Sequence, residues 1–299
     1  MEALVEVLHR AAQSTVTLAA QIPAEHPSTV VLGTNRFGSG AVIDDDGHVL
    51  TVNYAVLGAS DVRVVDLQGQ RYAAKVVAQD FATGVAVVRM SPNGIPPLPA
   101  GDSASLEPGE DIFLLASAGD AERRSASGAV ASLDSFDAYW EYRLERAIYT
   151  TCANPGLGGG PVCNRHGEIV GVVSLNLGNV GRATLAIPAE NFFEHADELL
   201  THGRRISRPR RAWLGMFCYS LPGRTVVAGL IPGAPSETWG LEVGDVIVRV
   251  DGERVGGRAD LYERIWTHDP GDVVDVDVFR DGGVVAVSVE STDVEEFFA

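Results

Sequence analysis

The chain has 299 residues, a formal net charge of −17 and 45% hydrophobic residues. This length favours two domains over one, and the composition supplies enough apolar material to bury two cores. The negative charge repels phosphate backbones, so nucleic acid is not an expected partner. No run approaches the roughly 18 consecutive apolar residues of a membrane span, and none is predicted.

The N-terminus and the cysteines bear on location and cofactors. Residues 1–13 carry acids at positions 2 and 6 and lack the basic and apolar regions of a secretory signal. The chain as given is therefore predicted to be cytoplasmic, or periplasmic or secreted if an N-terminal extension is missing. Cys152, Cys163 and Cys218 form no CxxC pair, so we predict small buried side chains, with no disulfide framework, metal site or cofactor.

The first two hundred residues predict mostly β-structure. Residues 2–12 have the apolar spacing of a short helix, and strand-like runs follow from residue 15. One pair of runs predicts a hairpin that turns at Asp44–Gly47. A proline-rich connector over 92–101 separates two sets of strands, a pattern that favours two barrels. A helix over 188–201, starting at Pro188, is predicted to close this domain.

An arginine-rich stretch, RRISRPRR over 204–211, comes before the remaining elements. We interpret it as a solvated linker that could dock on an acidic face, with a nucleic-acid site as the weaker alternative. The strands and two helices beyond it include a hairpin signal at Arg280-Asp281-Gly282-Gly283. The predicted organisation is a first domain over 1–203, the linker over 204–211, a second domain over 212–292 and a C-terminal tail over 293–299.

Four motifs in a fixed order identify a family resemblance. They are GSGAVIDDDGHVLTVNYAV (38–56), TGVAVV (83–88), NPGLGGGP (154–161) and LAIP (185–188). This succession resembles the HtrA (Deg) family of serine proteases, and the likeness covers nearly the whole chain. It implies a mostly β fold, with a chymotrypsin-like double six-stranded β-barrel followed by a PDZ α+β domain. It also implies a place in protein quality control.

The chain departs from the family at the catalytic positions. Tyr54 stands at the histidine position, Gly84 at the aspartate position and Gly158 at the serine position. Acyl transfer in this fold needs a hydroxyl nucleophile, an imidazole base and an acid that orients it. A glycine cannot form an acyl-enzyme, and a tyrosine with a pKa of about 10 is a poor base at neutral pH. The resemblance with these departures predicts a pseudoprotease.

Other groups near these positions leave alternatives. His48 and His166 are predicted to be solvated turn residues, and Cys163 a core residue. Cys152 is a less favoured substitute nucleophile, since it would need an imidazole that the sequence does not indicate. The loop of Gly156, Leu157 and Gly158 could form an oxyanion-type nest of backbone N–H groups, although a simple tight turn is favoured.

The second domain keeps a binding motif. The resemblance places Trp213-Leu214-Gly215-Met216 at the PDZ loop that captures a peptide carboxylate, and the strand over 216–220 beside the bound peptide. Trp213 and Met216 could instead be core residues, and Leu261 and Ile265 could face either the groove or the core. The predicted peptide-binding residues are Trp213, Leu214, Gly215, Met216, Phe217, Leu261 and Ile265.

The leading functional hypothesis is a scaffold, adaptor or regulatory subunit that binds peptides or protein C-termini and performs no proteolysis. The alternative is a serine endopeptidase with residual or partner-triggered activity. A third hypothesis is a structural subunit. The resemblance implies either a homo-trimer or a hetero-assembly with active HtrA-like proteins.

Overall fold

The computed structural model describes residues 2–91, 94–177 and 183–299, with side chains described from residue 5 onward. Residues 92 and 93 of the predicted connector therefore lie outside the described residues. The chain forms two compact units. The first comprises residues 1–24, 32–135 and 144–206, and the second comprises residues 25–31, 136–143 and 207–299.

The first half of the first unit is a closed six-stranded β-barrel. The elements of this part of the chain are α1 (Glu2–Ser14), β1 (Thr15–Gln21), α2 (Thr29–Leu32), β2 (Asn35–Val42), β3 (His48–Val52), α3 (Asn53–Val56), β4 (Asp61–Val65), β5 (Arg71–Asp80) and β6 (Val85–Met90). The strands pair in the order β1-β2-β3-β6-β5-β4, and β1 closes the ring by pairing with β4. Strand β3 is buried along its whole length, which matches its run of β-branched and apolar residues.

The predicted hairpin between β2 and β3 is confirmed. Val42 pairs with Val49 across the turn, and Gly47 has a positive φ of 85°. A side chain at Gly47 would also meet the carbonyl oxygen of Met90 at 2.3 Å. The prediction of a solvated His48 is wrong: this first residue of β3 is 9% exposed, and its Nδ1 lies 2.7 Å from Asp44 Oδ2.

The second half of the first unit is another closed six-stranded barrel, as the resemblance implies. Its elements are β7 (Asp111–Ser117), β8 (Arg123–Asp137), β9 (Arg143–Thr150), β10 (Pro161–Asn164), β11 (Ile169–Asn176), β12 (Thr184–Pro188), α4 (Glu190–Phe193) and α5 (Ala196–His202). The strand order is β10-β11-β12-β9-β8-β7, and β7 closes the ring by pairing with β10. Apolar side chains of opposite strands, such as Leu114 and Ile148, meet in the barrel interior.

The helix predicted over 188–201 is wrong in its extent. Pro188 is the last residue of β12, paired with Gly171, and two short helices, α4 and α5, follow instead of one. Gly203 caps the C-terminus of α5, because its φ of 74° lets its N–H bond Leu199 O at 2.8 Å.

The second unit includes most of α2 and contains an antiparallel sheet with further helices. These elements are β13 (Met216–Leu221), β14 (Arg224–Leu230), α6 (Pro235–Thr238), β15 (Val246–Val250), β16 (Glu253–Arg254), α7 (Arg258–Ile265), β17 (Val273–Arg280), β18 (Gly283–Glu290) and α8 (Val294–Phe297). The sheet order is β13-β14-β15-β17-β18, with β16 beside β15, so β13 is an edge strand. The predicted Asp281-Gly282 turn is present, because Arg280 pairs with Gly283 across it.

Residues assigned from sequence to the linker and tail make defined contacts in the second unit. Arg210 forms ion pairs with Asp293 and Glu296, so this end of the linker does dock on acidic residues. Asp293 accepts a hydrogen bond from Glu295 N at 2.6 Å and caps α8. The rings of Phe297 and Trp213 lie 4.9 Å apart.

The contiguous domain boundaries stay a prediction, but residues 25–31 and 136–143 were not expected to join the second unit. Among the helices that the structure describes, none has the length and apolar character required to cross a membrane.

Candidate functional site

The histidine position of the protease motif holds a fixed tyrosine. Helix α3 carries Tyr54, and the N–H of the preceding Asn53 bonds Gly84 O at 2.7 Å. The Tyr54 hydroxyl donates a hydrogen bond to Ser174 O at 2.8 Å. Removal of this hydroxyl from water raises the pKa of Tyr54 to about 12. The group therefore stays protonated at neutral pH and cannot accept a proton from a nucleophile.

The serine position has no room for a side chain. A Cβ atom at Gly158 would lie 2.1 Å from the Tyr54 hydroxyl and 3.2 Å from Ser174 O. The Tyr54 hydroxyl thus occupies the space that the Cβ atom of a serine at position 158 would need. The two substitutions are sterically matched, since the larger residue at 54 needs the smallest one at 158.

The aspartate position has a backbone that disfavours most side chains. Gly84 has a φ of 79°, in the left-handed region, and its N–H bonds Asp80 O at 2.8 Å. Asp80 itself organises this turn, because its carboxylate accepts hydrogen bonds from Ala82 N and the Thr83 hydroxyl, each at 2.9 Å. Gly84 has no carboxylate that could contact the side chain at position 54.

The loop of Gly156, Leu157 and Gly158 uses much of its hydrogen-bonding capacity in bonds to other residues of the first unit. Gly156 N donates to Asn154 Oδ1 at 3.1 Å, and Leu157 N donates to Ser117 O at 2.9 Å. The carbonyl of Gly158 accepts from Ser39 N at 2.6 Å. Two of the three N–H groups are therefore engaged, which favours the tight turn over a nest open to a ligand.

The candidate substitute nucleophiles are buried. Burial raises the pKa of Cys152, and it raises the pKa of Cys163 further. The histidines weighed from sequence are not beside them: His48 pairs with Asp44, and the exposed His166 accepts from Arg165 Nε at 3.1 Å. These cysteines are therefore inert thiols in the core.

A second site lies in the second unit, at the loop before β13. The N–H groups of Leu214, Gly215 and Met216 converge on the carboxylate of Glu141, with shortest distances of 3.0, 2.7 and 3.1 Å. Gly215 makes this convergence possible, because its φ of 82° turns the backbone between its neighbours. Three successive backbone donors around one oxygen pair form an anion-binding loop.

The residues around Glu141 lie along β13 like an added strand. Tyr139 O accepts from Cys218 N at 2.5 Å, and Trp140 pairs antiparallel with Phe217. The hydroxyl of Tyr262, on α7, donates to Ala138 O at 2.9 Å. The chain thus runs from Ala138 towards the Leu214–Met216 loop, where the Glu141 carboxylate binds the three N–H groups.

Burial dominates the protonation of Glu141. It raises the pKa of Glu141 to about 7, although the three N–H donors and the charge of Arg211 lower it. The group therefore titrates near neutrality, unlike an exposed glutamate.

The side chains of the predicted peptide-binding residues lie mostly in the core. Trp213 is 6% exposed and Met216 is 1% exposed, as the alternative reading of these two residues had it. Leu261 and Ile265 are fully buried in the same core as Leu214. Phe217 is half-buried, with its ring 6.0 Å from that of Tyr139. The loop therefore offers its backbone rather than these side chains.

Sequence reasoning missed Glu141 and Tyr262. A signal was available, since four aromatic residues fall within 136–142 of a chain that is only 7% aromatic. An aromatic-rich connection between two strands indicates a segment that packs against another part of the protein, but the sequence does not identify that part.

Comparison with protein families finds two matches. Residues 38–172 match the model of the trypsin-like peptidase domain, and residues 207–290 match that of the PDZ domain. The first match lies mostly within the first unit, and the second lies within the second unit.

Curated relatives and solved structures agree with this pairing. A protein of Halomonas elongata named "Probable periplasmic serine endoprotease DegP-like" is 29% identical over 82% of this chain and 54% of its own length. One of the same name from Ectopseudomonas mendocina is 31% identical over the same shares. The chain thus spans about half the length of these relatives.

Among solved structures, the HtrA-type protease AlgW with a tripeptide has a TM-score of 0.59 and 22% identity, and each chain is covered to 97%. The serine endoprotease from Yersinia pestis has a TM-score of 0.57 and 21% identity, covering 97% of this chain and 98% of that one. The likeness extends over both units.

Proposed function

Because the chain belongs to the HtrA/Deg family, we propose that it is a non-catalytic member that binds peptides or protein C-termini through its PDZ domain. In this proposal it acts as a scaffold, adaptor or regulatory subunit and performs no proteolysis. The observation that carries the proposal is the Tyr54 hydroxyl in the space of a side chain at Gly158.

The lack of catalysis follows from three losses that do not compensate one another. Position 158 has no nucleophile, Tyr54 is protonated, and Gly84 offers no carboxylate. Residual rate enhancement in a protease without its triad comes from oxyanion donors and substrate binding. Within the loop of Gly156, Leu157 and Gly158, the first two residues already donate their N–H groups, to Asn154 Oδ1 and to Ser117 O.

Peptide binding is supported by the geometry of the second unit. The loop at Leu214–Met216 holds a carboxylate with three backbone donors, and the adjacent edge strand β13 can accept an added strand. The AlgW structures with a tripeptide and with a decapeptide favour the same use of the fold here.

The names of the relatives favour a second candidate, partner-triggered proteolysis, because they are endoproteases. The same names favour a periplasmic location over the cytoplasmic one expected from the N-terminus. A homo-trimer, a hetero-assembly with active HtrA-like proteins and a role in protein quality control remain part of the proposal.

The two candidates are separated by an activity assay. The purified protein is incubated overnight with unfolded casein and, in parallel, with a fluorophosphonate probe that labels activated serines. We expect no casein fragments and no labelling, with or without added C-terminal peptides. Cleavage that co-elutes with the protein through two columns would refute the non-catalytic assignment.

Peptide binding is tested by titrating a fluorescent library of peptides that end in a free carboxylate. We expect saturable binding that is lost when the same peptides end in an amide, since the amide carries no negative charge for the Leu214–Met216 loop. Equal binding of both forms would show that the loop is not the carboxylate site.

A further inference from the structure

The carboxylate loop of the second unit is occupied by the chain itself. Glu141 brings its carboxylate to the N–H groups of Leu214, Gly215 and Met216. Glu141 is 8% exposed in this position. The proposed ligand of this loop, a peptide α-carboxylate, needs the same three donors, so both cannot bind at once.

The backbone around Glu141 also follows the path of a strand-adding ligand. Tyr139 O and Cys218 N form one ladder bond at 2.5 Å, and Trp140 stands opposite Phe217 in antiparallel pairing. The side-chain carboxylate of Glu141 then takes the place of a terminal α-carboxylate. A free peptide that added to β13 would replace these contacts nearly one for one.

Further contacts hold the segment in place. Tyr262 donates to Ala138 O at 2.9 Å, and Arg143 pairs with Glu263 at 2.6 Å. The segment also has its own turn, in which Tyr142 N donates to Trp140 O at 2.6 Å. These bonds come from α7 and from within the segment, so an incoming peptide must compete with all of them.

Resting on the proposed peptide binding, we propose that residues 138–142 are an internal ligand of the groove, which an external C-terminus must displace. The apparent Kd for an external peptide then equals the Kd of the open groove divided by the fraction of molecules in which the groove is open. Displacement would change the connection between β8 and β9, so peptide binding and the conformation of this connection are thermodynamically linked.

The test uses a fluorescein-labelled peptide of sequence FDAYWV. It copies residues 136–140 and ends in a valine α-carboxylate in place of the Glu141 side chain. Fluorescence anisotropy gives its Kd for the full-length wild-type protein and for Glu141→Ala. The matched control is Glu145→Ala, the same change at an exposed position on β9.

We expect Glu141→Ala to bind FDAYWV at least ten-fold more tightly than the wild type and Glu145→Ala to match the wild type. An alanine has no acceptor for the three N–H groups, so the internal ligand weakens whichever protonation state Glu141 has. Equal affinity of the wild type and Glu141→Ala would overturn the internal ligand while leaving peptide binding intact. Failure of every variant to bind would overturn the proposed function, and the internal ligand with it.

A second measurement does not depend on the folding of a variant. Hydrogen exchange of the wild-type protein is followed with and without saturating FDAYWV. Displacement should speed exchange of the Ala138 and Tyr142 amides, which donate to Tyr142 O and Trp140 O in the occupied state. Unchanged exchange at these amides with peptide bound would overturn the proposal.

Discussion

The catalytic cleft of the first unit and the carboxylate loop of the second are both occupied by a group of the protein, but the consequences differ. Catalysis in the family depends on side chains at three positions, which the resemblance assigns to Tyr54, Gly84 and Gly158 in this chain. Carboxylate binding depends on backbone N–H groups, which most substitutions leave in place. Under the proposed function, the fold loses its chemistry by point substitution and keeps a binding site that the backbone builds.

The two occupants also differ in how they can leave. Tyr54 sits on the short helix α3, and Gly158 packs directly against it. Glu141 lies on a connection between two strands and is held by bonds that another carboxylate can make. The cleft is thus closed by packing, whereas the loop is closed by a competing ligand.

Removing Trp213 should have the largest effect on stability. Its side chain is 6% exposed and packs on Phe297 and Phe298, so Trp213→Ala should lower the free energy of unfolding by about 3–5 kcal/mol. The matched change at Trp239, which is 48% exposed, should cost below about 0.5 kcal/mol. Urea denaturation measures both, and similar losses would contradict a structural role for the buried Trp213 side chain.

Introducing a serine at position 158 alone should lower the stability of the protein without producing proteolytic activity. In Gly158→Ser the new side chain would overlap the Tyr54 hydroxyl, at a cost of about 1–3 kcal/mol in unfolding free energy. No casein cleavage should appear, since no base is present.

The control for this change is Gly119→Ser, because a Cβ at Gly119 meets nothing within 4 Å. The cost at position 158 should shrink in the Tyr54→Ala background. An equal cost with and without Tyr54 would show that this side chain does not fill the nucleophile's space.

Binding of the FDAYWV peptide should strengthen as the pH rises. The pKa of Glu141 is about 7 in the groove and 4.5 as an ordinary glutamate, so docking of Glu141 takes up a proton between these values. The internal ligand is therefore held best below pH 4.5, and its hold declines as the pH rises through 7. External affinity should increase roughly ten- to a hundred-fold from pH 5 to pH 8.

The groups facing Glu141 are Arg211, Cys218 on β13 and Tyr262 on α7. Burial raises the pKa of Cys218 and of Tyr262, so both stay neutral across this pH range, and Arg211 stays charged. Anisotropy titrations should show a flat profile for Glu141→Ala and a wild-type profile for Glu145→Ala. Coinciding profiles of the wild type and Glu141→Ala would assign the pH dependence to another group.

The smallest expected effect is at the cysteines. Cys152, Cys163 and Cys218 are buried, and burial raises the pKa of each thiol, so iodoacetamide at pH 7.5 should leave the native protein unlabelled. Mass spectrometry after unfolding in guanidinium should show all three labelled. Rapid labelling of Cys152 in the native protein would support Cys152 as a substitute nucleophile.

Much of the fold was accessible from local patterns. The hairpin turns at Asp44–Gly47 and Asp281-Gly282 were predicted because glycine and aspartate favour the backbone angles of tight turns. The motifs also located the three catalytic positions, since each lies next to a recognisable strand. Pro188 was misplaced because a proline at the end of a strand and one at the start of a helix look alike in sequence.

The amino-acid sequence by itself determined which residues stand at the family's three triad positions, and it predicted a carboxylate-binding motif, because both depend on residue identities within short segments. Only the tertiary structure decided that Tyr54 occupies the space beside Gly158 and that Glu141 occupies the loop at Gly215. These partners lie far apart along the chain, and their meeting depends on how whole elements pack. Local propensity carries no information about such encounters, which is why they emerge only once the chain is folded.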